Sequence, residues 1–146
     1  MALRRPLWYI DADTIGLGKL LGQVRRDVTW PGDDGVRRSD RDRQTPSPIT
    51  STETDDDVWI PQVTAAGLAI ITRDKQIQSR TAEVNAVVSA GARMFAITSA
   101  ENLDRWGLLE VVVTRWRDIE QTAALPGPYI YAVTRSGLRK VISAAR

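Results

Sequence analysis

The chain has 146 residues, 42% of them hydrophobic and 26% charged, with a formal net charge of +2. That length suits one domain, and the composition supplies one core without the bias of a disordered chain. Cysteine and histidine are both absent, which excludes disulfides, thiolate zinc sites, cysteine nucleophiles, the serine–histidine triad and every histidine metal site.

Catalysis near neutral pH is therefore left to carboxylates, Lys, Tyr, hydroxyls or a bound metal. The positive charge is mostly arginine, whose planar fork suits phosphate and stacks on bases. No apolar run approaches the roughly 20 residues that span a bilayer, and the apolar stretch of MALRRPLWYI is too short for a signal peptide. A soluble, cytoplasmic protein is the expectation, with no membrane partner.

In chain order, Leu7 to Ile10 reads as a buried strand that ends in Asp11. Thr14 to Gln23 has helical spacing, with Asp13 or Thr14 as its cap. Asp27 to Trp30 is a candidate second strand. From 31 to 54 the pattern dissolves into Gly, Pro, Ser, Thr and charge, and a long, mobile loop is expected there. Asp55 to Gly67 reads as a helix with acids in its first turn and Gly67 as its stop; Pro61 is awkward inside it. Leu68 to Thr72 is almost wholly apolar, as a central strand covered on both faces would be, and leads to Asp74. Thr81 to Ala90 is helical and stops at Gly91. Ala92 to Thr98 is a further strand. Glu101 to Ala124 holds one or two helices, with Gly107 as the break. Tyr129 to Thr134 and Leu138 to Ile142 flank Arg135-Ser136-Gly137 as a terminal β-hairpin.

Strands alternating with helices imply a three-layer α/β/α sandwich on a central, mainly parallel sheet, as one domain over 1–146. Ligands of such sheets bind beyond the carboxyl ends of the strands. Three acidic clusters fall at such places: Asp11 with Asp13 after the first strand, Asp55-Asp56-Asp57 at a helix start, and Asp74 after the central strand. Each alone has an ordinary reading, as a turn former, a cap or a complement to the helix dipole. Together they repel one another unless a divalent cation joins them, and Mg²⁺ or Mn²⁺ prefers such hard oxygen ligands.

The segment DDDVWIPQVTAAGLAIITRDK resembles the acid–helix–strand–acid unit of PIN-domain nucleases. The pieces Asp56 to Trp59, Ile71 to Lys75 and Arg93 to Thr98 resemble the PIN-like toxins grouped with the VapC toxins of bacterial toxin–antitoxin pairs. The opening YIDADTIGLGKLL resembles that family's first strand, acid and helix. The resemblance runs from about residue 7 to 134 with a divergent middle. It implies a PIN-like fold, a metal-dependent endoribonuclease that uses a metal-activated water, and catalytic metal ligands Asp11, Asp56 and Asp74, with Asp13 as a second-tier ligand. It also implies an RNA substrate, a cognate antitoxin protein and a homodimer. The family's pattern places a further acid on a helix in the middle of the chain. Here that region is the Pro/Ser/Thr loop, and Glu53, Asp33 and Asp34 sit on no convincing helix. Either three protein acids suffice, or Asp13 or Asp57 supplies a fourth.

Arg73 and Lys75 flank Asp74, and Arg80 follows; all three are candidate phosphate contacts. The arginines at 37, 38, 41 and 43 alternate with aspartates and read better as solvated loop charge than as an RNA-gripping arm. Trp59 shares a helix face with Asp56 and reads as core ahead of base stacking. Trp106 and Trp116 are candidate interface residues, at least one of them core. Gly16 and Gly18 lack the spacing of a nucleotide-binding glycine loop. Two alternatives stay open: a non-catalytic PIN-like module binding RNA or protein, and a related phosphohydrolase or DNA nuclease using the same rim.

Overall fold

The apolar run before Asp11 forms β1 (Trp8–Ile10), each residue of it buried. In this computed structural model residues 5–37, 43–74, 81–99 and 103–143 are described. After one 3-10 turn (Ala12–Thr14) come α1 (Ile15–Val24) and the two-residue β2 (Val28–Thr29). Then follow α2 (Asp56–Ala65), β3 (Ala69–Arg73), α3 (Thr81–Ala90), β4 (Arg93–Ile97), α4 (Arg105–Ala123), β5 (Tyr129–Thr134) and β6 (Gly137–Ser143). The sheet has six strands in the order β2-β1-β3-β4-β5-β6. All neighbours are parallel except β5 and β6, the expected terminal hairpin.

Two apolar clusters cover the two faces. On one, α1 and α4 pack Leu17, Leu21, Leu108, Val111, Val112 and Ile119 on Trp8, Ile10, Ile71, Phe95 and Ile97. On the other, α2 and α3 pack Trp59, Ile60, Val63, Ala86 and Val87 on Tyr9, Ile70, Met94, Ala96 and Ile130. The three-layer α/β/α sandwich follows from this division. Because side chains alternate along a strand, Tyr9 and Asp11 share the α2/α3 face, and so do Ile70, Thr72 and Asp74.

Several boundaries differ from the sequence expectation for identifiable reasons. The 3-10 turn is capped by Asp11, whose carboxylate accepts from the Ala12 N–H at 2.6 Å; neither Asp13 nor Thr14 caps α1 through its side chain. Pro61 lies inside α2 and does not end it; the helix stops near Gly67, whose φ of +82° suits glycine. Gly107 is no break. It sits in the first turn of the single helix α4, where its N–H has no intrahelical acceptor and takes Asp104 Oδ1 at 2.8 Å. Arg93 donates to Ala123 O at 2.6 Å and Gly67 O at 3.0 Å, tying the end of α4 to the turn before β3.

Within 31–54 the described residues are irregular but bonded to one another. Asp33, almost fully buried, accepts from Arg37 (2.8 Å), Thr29 (2.7 Å) and the Gly35 N–H (2.9 Å). Ile49 is buried as well. Residues 38–42 of that loop lie outside the described residues. Among the described residues no helix is long and apolar enough to cross a membrane.

Candidate functional site

The acids reach one place because of sheet register. Ile10 pairs with Ile71, so Asp11 lies beside Thr72, and the Asp11 N–H continues the ladder to Ile71 O at 3.0 Å. Asp74 continues β3 in the same way, its N–H donating to Ile97 O at 3.2 Å. Both leave the strand ends on the α2/α3 side. Since α2 and α3 each run back to the next parallel strand, both helices begin at this rim. Asp56 opens α2, and Glu83 is the third residue of α3.

A cleft of about 290 Å³ is lined by Asp11, Asp13, Asp56, Arg73, Asp74 and Glu83, with Thr52, Thr54 and Trp59 completing its wall. Five of the expected site residues therefore meet: Asp11, Asp13, Asp56, Arg73 and Asp74. Lys75 and Arg80 lie outside the described residues. Asp57 is exposed and does not line the cleft, and neither does Glu53. Asp33 is committed to Arg37 elsewhere.

Glu83 is the acid that sequence reasoning missed. It follows Asp74 in the chain and is neither in the Pro/Ser/Thr loop nor one of the fourth-acid candidates Asp13 and Asp57. The available signal was an acid in the first turn of a helix beginning at the same rim, which passes easily for dipole complementation. Glu83 is 6% exposed, and its Oε1 has no hydrogen-bond partner among the described residues. Burial, then the charges of Asp56, Asp74, Asp11 and Asp13, push its carboxyl up to about 8. That sequence of causes links all five carboxylates electrostatically.

Their hydrogen bonds show how each is held. Thr72 Oγ1 lies 3.0 Å from Asp11 Oδ2 and 3.4 Å from Asp13 Oδ1, so one hydroxyl sits between two carboxylates. Burial raises the Asp11 carboxyl, the Ala12 N–H and Thr72 oppose that, and Asp56 and Asp74 add to the rise. Asp13 is exposed as a residue, but its carboxyl faces inward; burial and then Asp11 push it up to about 7. Asp56 Oδ1 accepts from the Trp59 indole N–H at 2.8 Å. Trp59 is buried, with its ring 5.2 Å from that of Tyr9 on β1. It is a core residue that also grips a rim acid.

Among the described residues no three acidic side chains converge at metal-ligand geometry. The chemistry of the donors nonetheless fits a hard divalent cation: the acids of the cleft offer carboxylate oxygens, and Glu83 Oε1 is buried without a donor among the described residues. The arrangement can gather positive charge and expose it to solvent at the mouth of the cleft.

The family model described as "PIN like domain" matches residues 36–99, somewhat under half of the chain. The match spans α2, β3, α3 and β4, and so includes Asp56, Asp74 and Glu83 while leaving out β1 with Asp11. It supports a PIN-like domain, in agreement with the mostly parallel sheet. No curated protein and no solved structure matches the chain.

Proposed function

We propose that this chain is a divalent-metal-dependent endoribonuclease. The observation that carries this reading is the meeting of Asp11, Asp13, Asp56, Asp74 and Glu83 in one cleft, where burial and then the neighbouring acids raise the carboxyls of Asp11, Asp13 and Glu83. PIN-like domains are commonly nucleases, which supports the same class. Asp11, Asp56 and Asp74 would hold Mg²⁺ or Mn²⁺, with Asp13 and Glu83 completing the oxygen set. The cation, when bound, supplies a water acidic enough to ionise near neutral pH and a Lewis acid for the phosphoryl oxygens.

The chain's own residues do the rest. Thr72 fixes the Asp11 carboxylate, and Trp59 fixes that of Asp56. Arg73, with Lys75 and Arg80 following it in the chain, would hold the phosphates on either side of the scissile bond. A role as the toxin of a toxin–antitoxin pair, with a cognate antitoxin and a homodimeric state, extends this reading through the sequence resemblance alone.

Purified protein should cut RNA with Mg²⁺ or Mn²⁺ and stop in EDTA. Asp74→Asn should lose at least about a hundredfold in rate, while Asp57→Asn, outside the cleft, should keep the parent rate. Equal cutting by Asp74→Asn and the parent would remove the assignment. Preference for DNA or small phosphoesters in the same panel would change the substrate. The lack of an acid on a helix in the middle of the chain motivates one second reading, a non-catalytic PIN-like module. It requires no cleavage, and RNA or protein binding that survives Asp56→Asn.

A further inference from the structure

Trp106 is 67% exposed, in a residue type that is mostly buried. Trp116, ten residues on, behaves conventionally: its ring packs at a tilt on Trp8 at 4.8 Å and is covered by Arg25. Trp106 stands in the first turn of α4, the end of that helix at the rim. Arg73, which lines the cleft, donates to Leu103 O at 2.9 Å, just before α4 begins. Arg105 reaches across to the first turn of α1, where its guanidinium fills the space over Gly16; a Cβ there would lie 2.7 Å from Arg105 Nε.

Gly16 is informative because glycine inside a helix is less favourable than alanine. Two other glycines of α1 admit core neighbours: Gly18 faces Ile10 and Gly22 faces Trp30. Gly16 admits an exposed guanidinium instead. Arg105 thus immediately precedes an exposed tryptophan in the first turn of α4, about one turn from the carbonyl that holds Arg73. The apolar surroundings are thin, since Val113, two turns away, is the other large exposed hydrophobic residue described on α4. A protein interface needs a broader patch.

We propose that Trp106 and Arg105 form a seat for an unpaired nucleotide at the start of α4, with the base stacked on the indole and its phosphate on the guanidinium. This rests on the ribonuclease reading for the identity of the strand. Five carboxylates repel a polyanion, and stacking supplies attraction that does not depend on charge at the rim. A tryptophan face accepts any base, but only one whose own face is not already covered by neighbours in a duplex.

The test is fluorescence anisotropy of a labelled single-stranded RNA oligomer, and of the same strand in duplex, with the full chain in EDTA so that no turnover intervenes. Trp106→Ala should weaken single-strand binding by about tenfold or more and leave duplex binding unchanged. Trp106→Phe should restore most of the loss. Arg105→Gln should weaken binding and lower the salt dependence by about one counterion. The seat is overturned if the parent does not bind the single strand, if Trp106→Ala binds it equally well, or if that variant changes the protein's own association instead. A parent that binds with these sensitivities but never cuts with Mg²⁺ or Mn²⁺ sinks the nuclease reading and leaves the seat. Metal-dependent cutting with unchanged Trp106→Ala binding does the reverse.

Discussion

Trp59 connects packing to chemistry through one atom. Its ring lies against Tyr9, two residues before Asp11, while its N–H holds Asp56 Oδ1. One aromatic contact therefore sets the spacing between a strand-borne acid and a helix-borne one. On the proposed reading, Trp59→Phe keeps the ring and loses the hydrogen bond, so Mn²⁺ affinity measured by calorimetry should fall roughly tenfold with little change in melting temperature. Unchanged affinity would leave Trp59 a packing residue only. Glu83 offers a complementary case. Its carboxyl is buried, surrounded by like charge and lacks a donor at Oε1 among the described residues. Glu83→Gln should raise the metal-free melting temperature at pH 8, by removing an unfavourable charge, and lower Mn²⁺ affinity. A purely structural acid would not move the two readouts in opposite directions.

At the scale of elements, the segment between β2 and α2 is organised by a polar hub, where a strand or helix would otherwise do it. Burial alone would raise the Asp33 carboxyl. Hydrogen bonds from Arg37, Thr29 and the Gly35 N–H outweigh it and hold the group below the ordinary range. Gly35 has φ +85°, a conformation that a side chain would strain. Arg37 also covers Trp30 at 4.6 Å. Removing one partner of a buried pair leaves the other charge stranded, so Arg37→Met should cost about 3–5 kcal/mol in urea unfolding. A cost below about 1 kcal/mol would show that the hub is dispensable. The same segment ends at Thr52 and Thr54 on the cleft wall, so the hub supports one side of the site.

Across the whole molecule, the acid rim ties stability to pH. The unfolded chain releases the Glu83 and Asp13 protons near 4.5 and 3.8, whereas the folded chain holds them to about 8 and about 7. The native state then binds more protons across that interval, so stability is full below it and declines as pH rises through it. Without divalent cations the melting temperature should fall between pH 5 and pH 8. Mn²⁺ should raise it, more at pH 8 than at pH 5, because the ion binds the deprotonated rim of the folded state. A melting temperature insensitive to both pH and Mn²⁺ would refute a coupled metal-binding rim.

Period and composition alone determined the alternation of strands and helices, the terminal hairpin and the placement of Asp11, Asp56 and Asp74 at element ends. These are local properties: apolar runs, turn residues and acids beside them. The tertiary structure decided which acids share a face. A strand's two-residue repeat separates its sides without saying which helices cover each one, and the pairing of Ile10 with Ile71 turned Asp11 and Asp74 toward α2 and α3. Glu83 was not singled out for that reason: its place in the first turn of α3 was legible, but that α3 covers the same face as Asp11 and Asp74 was not. The two late tryptophans were likewise indistinguishable in sequence. The approach of α4 to α1 left Trp106 in solvent, while Trp116 was half-buried against Trp8.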